Sequence, residues 1–302
     1  MTDAPNQHTQ LNDFERARPL LFALAYRMLG SVMDAEDIVQ EAFLRWQQAS
    51  VQQIASPQGY LQRIVTRLCI DQLRSARVQR EAYIGPWLPE PLIQSEDADP
   101  LAAADLADSL SLGFLRLLER LTPIERAVFL LHDVFGYTYE EIARVVGKSA
   151  VHCRQLGHRA RESIMAERPR FTATPAQVEQ VTRQFIRACT DGDMQGLLAL
   201  FAADITLWPD GGGKPGAMRN PIVGADRVTR FLLGVRRKVP VPSILRPVHL
   251  NGRSGILWLI AGGLMCAVTL EVDRGAIRTI YWVFNPDKLQ SVQRCIARNE
   301  VD

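Results

Sequence analysis

Long hydrophobic segments are scarce in this sequence of 302 residues. The longest apolar run, residues 255–268, is shorter than the roughly 20 residues that a membrane-spanning helix needs, and Gly262 and Gly263 interrupt it. This pattern predicts two strands around a turn. The first ten residues are polar and contain no apolar core of a secretory signal. We therefore expect a soluble, cytoplasmic protein without a membrane partner.

Cysteine and net charge are also limited. The five cysteines are widely scattered, without a Cys-x-x-Cys pair and without a histidine at metal-ligand spacing, so we expect reduced thiols and no metal. The glycine-rich residues 211–214 lack the flanking residues of a phosphate-binding loop, and no cofactor is predicted. The formal net charge is only +2, so any DNA binding must come from local clusters of basic residues.

The periodicity of the apolar residues divides the chain into helical and mixed parts. Residues 11–81 and 101–168 have helical spacing. Prolines between residues 86 and 100 exclude a helix interior and predict a linker, although Trp87 and Leu88 are too apolar for a purely solvated one. After residue 175 an α+β domain is predicted, with helices at 178–189, 194–201 and 225–235 and strands at 205–208, 256–260, 265–272 and 277–284. Asp273, Arg274 and Gly275 are expected to form the hairpin loop between the last two strands.

Two helices in the middle of the chain have the features of a helix-turn-helix. The first, residues 139–146, ends at Gly147, which readily adopts a left-handed conformation, and Ser149 is a good N-cap for the second, residues 150–165. The apolar face of the first helix is predicted to contain Ile142, Ala143 and Val146. The buried stripe of the second is predicted to contain Cys153, Leu156, Ala160 and Ile164, so Cys153 is expected to be an inert core thiol. A second helix pair, residues 110–121 and 124–132, is predicted beside this unit, with Thr122 as N-cap and Pro123 at the first helical position.

The remaining faces of the helix at 150–165 are basic and polar. They contain His152, Arg154, Gln155, His158, Arg159 and Arg161. Arginine can bind guanine edges and glutamine can pair with adenine, while neighbouring charges hold phosphates. This composition suits DNA recognition, and the alternative is an ordinary helical hairpin with a solvated basic face.

The N-terminal part contains an amphipathic helix followed by an arginine-rich one. In the first, residues 34–46, the apolar stripe contains Ile38, Val39, Ala42, Phe43 and Trp46, and the outward face contains Asp37, Gln40, Glu41 and Arg45. Acidic residues in a first turn also simply suit the helix dipole. In the second, which follows a turn at residues 55–60, the core positions are Leu61, Ile64, Leu68 and Leu73, and the basic positions are Arg63, Arg67, Arg74, Arg77 and Arg80. Such charges are usually only solvated, and DNA binding is the alternative.

Residues 34–46, 57–80 and 121–161 together resemble regions 2 and 4 of the extracytoplasmic-function sigma factors of the sigma-70 superfamily, in their usual order and spacing. The resemblance implies promoter-specific initiation together with core RNA polymerase, contacted at the β′ clamp and the β flap, and with promoter DNA. The implied polymerase contacts are Asp34, Asp37, Gln40 and Glu41. The implied minus-ten contacts are Ser56, Gln58, Tyr60, Arg63, Arg67, Arg74 and Arg77. The implied minus-thirty-five contacts are Ser149, His152, Arg154, Gln155, His158 and Arg159.

Three further motifs resemble the signatures of a SigJ-like subgroup, which carries a C-terminal SnoaL-like domain, a cone-shaped curved sheet covered by helices. They are Trp-Leu-Pro-Glu-Pro at 87–91, Asp-Gly-Gly-Gly-Lys at 210–214 and Asn-Pro-Asp-Lys-Leu at 285–289. The expected architecture is therefore two all-α modules followed by an α+β domain. We expect region 2 at residues 8–82, a proline-rich linker at 83–105, region 4 at 106–168 and the SnoaL-like domain at 175–302.

The role of the C-terminal domain follows less directly from the sequence. Its candidate acid–base groups are Asp193, Asp204, Asp210 and His249, but the sequence pairs no two of them, and we expect no enzyme. We instead hypothesise that its glycine loop docks on the linker, because an exposed tryptophan is unfavourable and glycines allow close backbone approach. The hypothesised regulatory contact contains Trp87, Pro89, Asp210, Gly211, Gly212, Gly213, Lys214, Asn285 and Asp287. The alternative function is a DNA-binding regulator fused to a small-molecule-sensing or catalytic SnoaL-like domain.

Overall fold

The computed structural model describes residues 4–49, 54–81, 83–93, 108–166, 173–214, 218–239, 241–261 and 263–298. The chain divides into two compact units. The helical unit contains Met1–Glu81 and Leu117–Glu167, and the α+β unit contains Ala82–Arg116 and Arg168–Asp302. The predicted fold class, helical modules followed by an α+β domain, is confirmed. The linker and the first residues expected in region 4 belong to the α+β unit.

The N-terminal part of the helical unit contains α1 (Ala4–Leu29), α2 (Val32–Gln47) and α3 (Pro57–Glu81). Helix α2 begins where the Ser31 hydroxyl accepts the Asp34 amide hydrogen at 3.1 Å. Its predicted stripe is buried at Ile38, Val39, Ala42 and Trp46. In α3 the buried apolar residues are Leu61, Val65, Cys69, Ile70 and Leu73. The prediction of Ile64 and Leu68 as core residues is wrong, because α3 turns Val65 and Cys69 inward and leaves those two half-buried.

Helix α4 (Leu112–Leu118) precedes the C-terminal part of the helical unit. This part contains α5 (Pro123–Phe129), α6 (Tyr139–Val146) and α7 (Ala150–Met165). The helix predicted at 110–121 is shorter, because the chain forms a 3-10 turn at Asp108–Leu110 and α4 ends before Thr122, which caps α5 as predicted. The helix predicted at 124–132 passes into a π-helical turn at Leu130–Val134. Gly147 has the predicted left-handed conformation, with a φ of 68°. In α6 the residue buried with Ile142 is Val145, one turn away, and not the predicted Val146.

The described residues of the α+β unit form a six-stranded sheet. Its strands are β1 (Phe201–Asp210), β2 (Ile222–Val223), β3 (Ser243–Leu250), β4 (Arg253–Ile260), β5 (Gly263–Asp273) and β6 (Ala276–Val283). They lie in the order β2-β1-β6-β5-β4-β3, with β1 parallel to β6 and the other neighbours antiparallel. The helices are α8 (Pro175–Asp191), α9 (Met194–Leu200), α10 (Ala225–Lys238) and α11 (Gln290–Ala297). Arg274 and Gly275, both with positive φ, form the predicted hairpin turn, whereas β3 was not predicted and Phe201 begins β1 instead of ending a helix.

Both faces of this sheet are covered by apolar side chains. Side chains alternate along a strand, so Val268 and Trp282 belong to the cluster that contains residues of α8 and α10, while their neighbours Ala267 and Tyr281 belong to a second cluster on the opposite face. That second cluster also contains Leu88, Leu112, Leu289 and Val292. Leu88 of the linker is therefore part of the core of the C-terminal domain.

The described residues contain free cysteines and no group of side chains that could form a metal site. All five cysteines are free, and Cys153 is buried on the α7 stripe as predicted. Burial raises the pKa of the Cys69 and Cys266 thiols, which keeps them protonated. The described residues contain no cluster of three or more side chains that could hold a metal ion, and none of their helices is long and apolar enough to cross a membrane.

Candidate functional site

Helix α7 exposes its basic face and buries its predicted core stripe. It begins where the Ser149 hydroxyl accepts the His152 amide hydrogen at 3.2 Å, as predicted for the N-cap. The buried residues include Cys153, Leu156, Ala160 and Ile164. Arg154, Gln155, His158 and Arg159 are exposed, and His152 is half-buried. The side chains expected to contact the minus-thirty-five element therefore lie on the solvent side of the helix.

Tyr139, the first residue of α6, supports this helix. Its hydroxyl accepts a hydrogen bond from Arg161 Nη2 at 3.1 Å, and the Arg154 guanidinium carbon lies 5.4 Å from its ring centroid. A Cβ atom at Gly157 would lie 2.9 Å from the same hydroxyl, so a larger residue there would displace the Tyr139 side chain. Arg161 also pairs with Asp133 at 2.7 Å, and this hydrogen bond raises the pKa of Arg161. These contacts orient α7, and sequence reasoning missed Tyr139.

The residues expected to contact the minus-ten element lie along α3 and the turn before it. The Ser56 hydroxyl accepts the Gly59 amide hydrogen at 3.2 Å, and the rings of Tyr60 and Trp46 lie 5.8 Å apart. Ser56, Gln58, Arg67 and Arg74 are exposed, and Tyr60 and Arg63 are half-buried. The side chains of Arg77 and Arg80 lie outside the described residues. The structure thus places the described members of this set on one helix and its N-terminal turn.

Two arginines join the halves of the helical unit. Arg67 Nε of α3 donates to the Val145 carbonyl oxygen in the last turn of α6, at 3.0 Å. Arg126 of α5 is buried and donates to the Met28 carbonyl oxygen in the last turn of α1, at 2.7 Å. Helix C-termini carry partial negative charge, which favours both contacts. Arg67, an expected minus-ten contact, is therefore bonded within the protein.

The outward face of α2 combines acidic and apolar side chains. Asp37 and Gln40 are exposed, and Asp34 and Glu41 are half-buried. Glu41 pairs with Arg45 of the same helix at 2.8 Å. The apolar side chains of this face, which sequence reasoning missed, are Met33 and Leu44, and both are exposed. Positions 33, 37, 40, 41 and 44 follow helical spacing, so these residues form one continuous surface.

In the α+β unit, Asp210 is a fully buried carboxylate at the end of β1. Its Oδ2 accepts the Leu88 amide hydrogen at 2.7 Å and pairs with Lys288 Nζ at 2.7 Å. Its Oδ1 accepts a hydrogen bond from the Tyr83 hydroxyl, and burial together with this bond raises the pKa of Tyr83. Lys288 Nζ also donates to the Leu88 carbonyl oxygen. A buried ion pair therefore binds both backbone polar groups of Leu88.

The glycines after Asp210 allow close approach to Asn285, in the motif at 285–289, and to Ile84, which precedes the motif at 87–91. A Cβ atom at Gly212 would lie 2.5 Å from Asn285 Nδ2, and one at Gly213 would lie 2.9 Å from Ile84 Cβ. Asn285 Nδ2 donates to the Tyr83 hydroxyl at 3.1 Å. On the surface, Lys214 pairs with Asp287 at 2.9 Å.

Asp210, which begins the glycine loop, contacts the linker, because its Oδ2 accepts the Leu88 amide hydrogen. The Trp87 ring centroid lies 4.2 Å from Lys288 Nζ, and Pro89 and Gly211 are buried. Sequence reasoning missed Tyr83 and Lys288 as members of this contact. The role of Lys288 could have been predicted from the motif at 285–289, where this lysine immediately precedes Leu289, which is buried.

Asn251, in the turn between β3 and β4, binds the chain at Leu92 and at Leu110. Its Oδ1 accepts the Leu92 amide hydrogen at 3.0 Å, and its Nδ2 donates to the Leu110 carbonyl oxygen at 3.0 Å. At the start of α4, Gly113 packs so closely that a Cβ atom there would lie 1.8 Å from a Glu271 carboxylate oxygen. Burial raises the pKa of Glu271. The sequence indicated none of these contacts.

The candidate acid–base groups do not form a site. Asp193 caps α9, Asp204 lies in β1 and pairs with Arg278 at 3.0 Å, and His249 is exposed on β3. A cavity of about 380 Å³, counting the space open to solvent, lies over the opposite sheet face from the linker. Its lining residues are Phe185, Cys189, Leu232, Leu233, Arg236, Leu245, Ile256, Trp258, Val268 and Trp282, none of which is one of the four candidates.

Comparison with known proteins identifies the class of the helical unit. The family model of sigma-70 region 2 matches residues 14–78, and that of sigma-70 region 4 matches residues 111–164. The two matches cover α2, α3 as far as residue 78, and the helix-turn-helix of α6 and α7 as far as residue 164. These are the parts of a sigma factor of the sigma-70 class.

Full-length relatives narrow the class further. The extracytoplasmic-function (ECF) RNA polymerase sigma factor SigJ of Mycobacterium tuberculosis is 36% identical over 293 residues, which cover 92% of this chain and 93% of SigJ. The probable ECF sigma factor SigI of the same species is 36% identical over 95% of this chain and 98% of SigI. The crystal structure of SigJ superposes with a TM-score of 0.74 at 33% identity, covering 93% of this chain and 98% of that one. The chain belongs to the ECF sigma factor family, and it is a promoter-specific sigma factor that binds core RNA polymerase and promoter DNA.

Proposed function

We propose that this sigma factor is regulated by its own C-terminal domain, which holds the linker between regions 2 and 4. The observation that supports the proposal is Leu88, which is fully buried in the C-terminal core while Asp210 and Lys288 bind its backbone. Burial of one leucine side chain contributes about 1.5–3 kcal/mol. Docking of the linker is therefore favoured within this unit.

A docked linker limits the distance that regions 2 and 4 can span. The minus-ten and minus-thirty-five elements are about 25 base pairs apart, which is roughly 85 Å at 3.4 Å per base pair. Residues 82–116, if free and extended, reach roughly 100 Å or more at about 3.3 Å per residue. Because Leu88 in the first part of the linker and Leu112 after its end belong to the same core cluster, that reach is lost on docking.

Contacts within the helical unit support a closed state, in which regions 2 and 4 touch each other. Its two halves are joined by the bonds from Arg67 to Val145 and from Arg126 to Met28. Regions that contact each other cannot also occupy two promoter elements that lie far apart. We infer that promoter binding breaks the Arg67 bond and that release of the linker permits the separation.

In this mechanism we assign each promoter element and each polymerase contact to one surface of the protein. Helix α7 recognises the minus-thirty-five element through Arg154 and Gln155, α3 and the turn before it bind the minus-ten element, and the α2 face binds the β′ clamp. Region 4 also contacts the β flap. Region 2 occupies residues 8–82, region 4 residues 106–168 and the C-terminal domain residues 175–302. The C-terminal domain acts by contact and not by catalysis, since its candidate acid–base groups lie apart and Asp210 is bound in the ion pair.

The test is transcription by core RNA polymerase with the full chain and its variants on a cognate promoter. Trp87→Ala and Asp210→Ala, which weaken the linker contact, should change the transcript yield. Asp204→Ala and His249→Ala, which alter exposed residues of the same domain, should leave it unchanged. Deletion from Thr174 should lower the yield, because it uncovers the apolar side chains of the linker.

The opposite pattern would contradict the proposal. If the Trp87 and Asp210 variants transcribe like the natural protein while Asp204→Ala or His249→Ala loses activity, the domain acts through a ligand or catalytic pocket. If none of the four substitutions changes the yield, the linker contact has no regulatory role.

A further inference from the structure

Val151 is the second residue of the recognition helix α7, and its side chain is 62% exposed. Gln155 and His158 follow at the i+4 and i+7 positions and are also exposed, so the three side chains form one outward stripe. The bond from the His152 amide to Ser149 fixes the first turn of the helix. The N-cap at Ser149 therefore sets the position of Val151 together with the positions of its polar neighbours Gln155 and His158.

A branched apolar side chain at this position has a restricted set of partners on DNA. In helix-turn-helix proteins the N-terminal residues of the recognition helix contact base edges in the major groove. Among the groups exposed there, the C5-methyl group of thymine is the apolar one, and the others are hydrogen-bond donors and acceptors. Valine offers neither a donor nor an acceptor in its side chain, so the thymine methyl group is its complementary partner.

We propose that Val151 determines promoter specificity by contacting the methyl group of a thymine in the minus-thirty-five element. The proposal rests on the assignment of α7 as the helix that recognises this element. Side chains four residues apart on a helix are about 6 Å apart, which is less than two base-pair steps of about 3.4 Å. The thymine therefore belongs to the base pair contacted by Gln155 or to one of its near neighbours, and an adenine-binding glutamine beside a thymine-binding valine selects A·T pairs.

Exposure by itself does not support this assignment, because single apolar residues are common on protein surfaces. Met165, the last residue of α7, is 67% exposed and lies about 21 Å further along the helix at 1.5 Å per residue. It is outside the first two turns that reach base edges, so it has no such role. Met165→Ala is therefore a matched control, with similar exposure on the same helix.

The test uses holoenzyme made from core polymerase and the full chain, on a promoter that it selects from templates with a randomised minus-thirty-five element. Each thymine of the selected element is replaced in turn by uracil, which differs only by lacking the C5-methyl group. For the natural protein, one replacement should lower open-complex formation about fourfold, since burial of one carbon group contributes about 0.8 kcal/mol and 1.4 kcal/mol corresponds to tenfold. Val151→Ala should lose this difference between thymine and uracil, and Met165→Ala should keep it.

The possible results separate this inference from the assignment of α7. If Val151→Ala keeps the full thymine preference, or if no uracil replacement affects the natural protein, Val151 does not contact a thymine methyl group. If Gln155→Ala and Arg154→Ala lower initiation in either case, α7 still recognises the element and only the role of Val151 is refuted. If those two variants also initiate normally, the assignment of α7 itself is wrong.

Discussion

Asp210 and Lys288 form an ion pair with a 2.7 Å N–O distance, and their side chains are 0% and 10% exposed. The partners come from β1 and from the 3-10 turn after β6, and both bind the backbone of Leu88, which lies in neither element. Removal of one partner of a buried pair leaves an uncompensated charge, which costs more than removal of both.

We therefore expect non-additive effects of substitutions at this pair. Asp210→Asn or Lys288→Met alone should lower the free energy of unfolding of the α+β unit by about 3–5 kcal/mol. The double variant should lose clearly less than the sum of the two. Urea unfolding followed by tryptophan fluorescence measures these changes, and additive losses would show that the two residues act independently.

Polymerase binding should depend on the acidic face of α2. Asp37→Lys together with Glu41→Lys reverses two charges on this face, and we expect affinity for core polymerase to fall about tenfold or more, equivalent to about 1.4 kcal/mol. Substitutions at exposed positions usually cost little stability, and the half-buried Glu41 still has 44% of its side chain exposed, so the melting temperature should hardly change. The control is Glu179→Lys with Asp226→Lys, the same charge change on exposed residues of the α+β unit. Equal binding by both double variants would place the polymerase contact elsewhere.

Promoter preference should change when the polar residues of α7 are shortened. Arg154→Ala and Gln155→Ala should each cost about 1–3 kcal/mol of discrimination at one base pair if the side chain makes a paired contact with a base. Initiation from promoters that carry each single base substitution measures this, with thermal unfolding as the control. A lowered melting temperature with unchanged base preference would mean that the residue supports the helix, as Tyr139 does, and does not contact a base.

The stability of the α+β unit should depend on the ionisation of Glu271. Burial raises its pKa, so the folded protein binds this proton more tightly than the unfolded chain does. The associated stability is complete below the unfolded pKa of about 4.3 and is lost as pH rises through the folded pKa. Glu271→Gln, which keeps an acceptor for the Tyr281 hydroxyl, should raise the melting temperature more at pH 8 than at pH 4.5. The exposed Glu179→Gln should show no such difference, and an equal shift at both pH values for Glu271→Gln would contradict the prediction.

Local features of the helical unit could be predicted from the sequence because their physical causes are local. The caps at Thr122 and Ser149 and the left-handed Gly147 depend on residues within one or two turns, and the α7 stripe depends on helical spacing. Errors arose where two apolar residues are adjacent, as at Ile64 and Val65, since spacing alone does not show which one faces the core.

Structure that depends on distant residues was predicted less well. Strand β3 was missed because Arg246 and Pro247 interrupt its apolar pattern, and proline is tolerated there because β3 is an edge strand. The unfavourable exposure of Trp87 pointed to the linker contact, but nothing local connects Leu88 with Lys288 or Gly113 with Glu271. The residues of each pair are far apart in the sequence, and only the folded sheet brings them together.

Leu88 and Lys288 are separated by 200 residues, which has a consequence during protein synthesis. At about 5–20 residues per second, roughly 10–40 s pass between the appearance of the linker and the appearance of its last partner. Regions 2 and 4 are complete before that time, so every new chain passes through an interval in which its promoter-binding parts exist without their restraint. A ribosome that stalls before β6 would prolong this interval, and translation speed would then set how long Leu88 remains without the core residues that cover it.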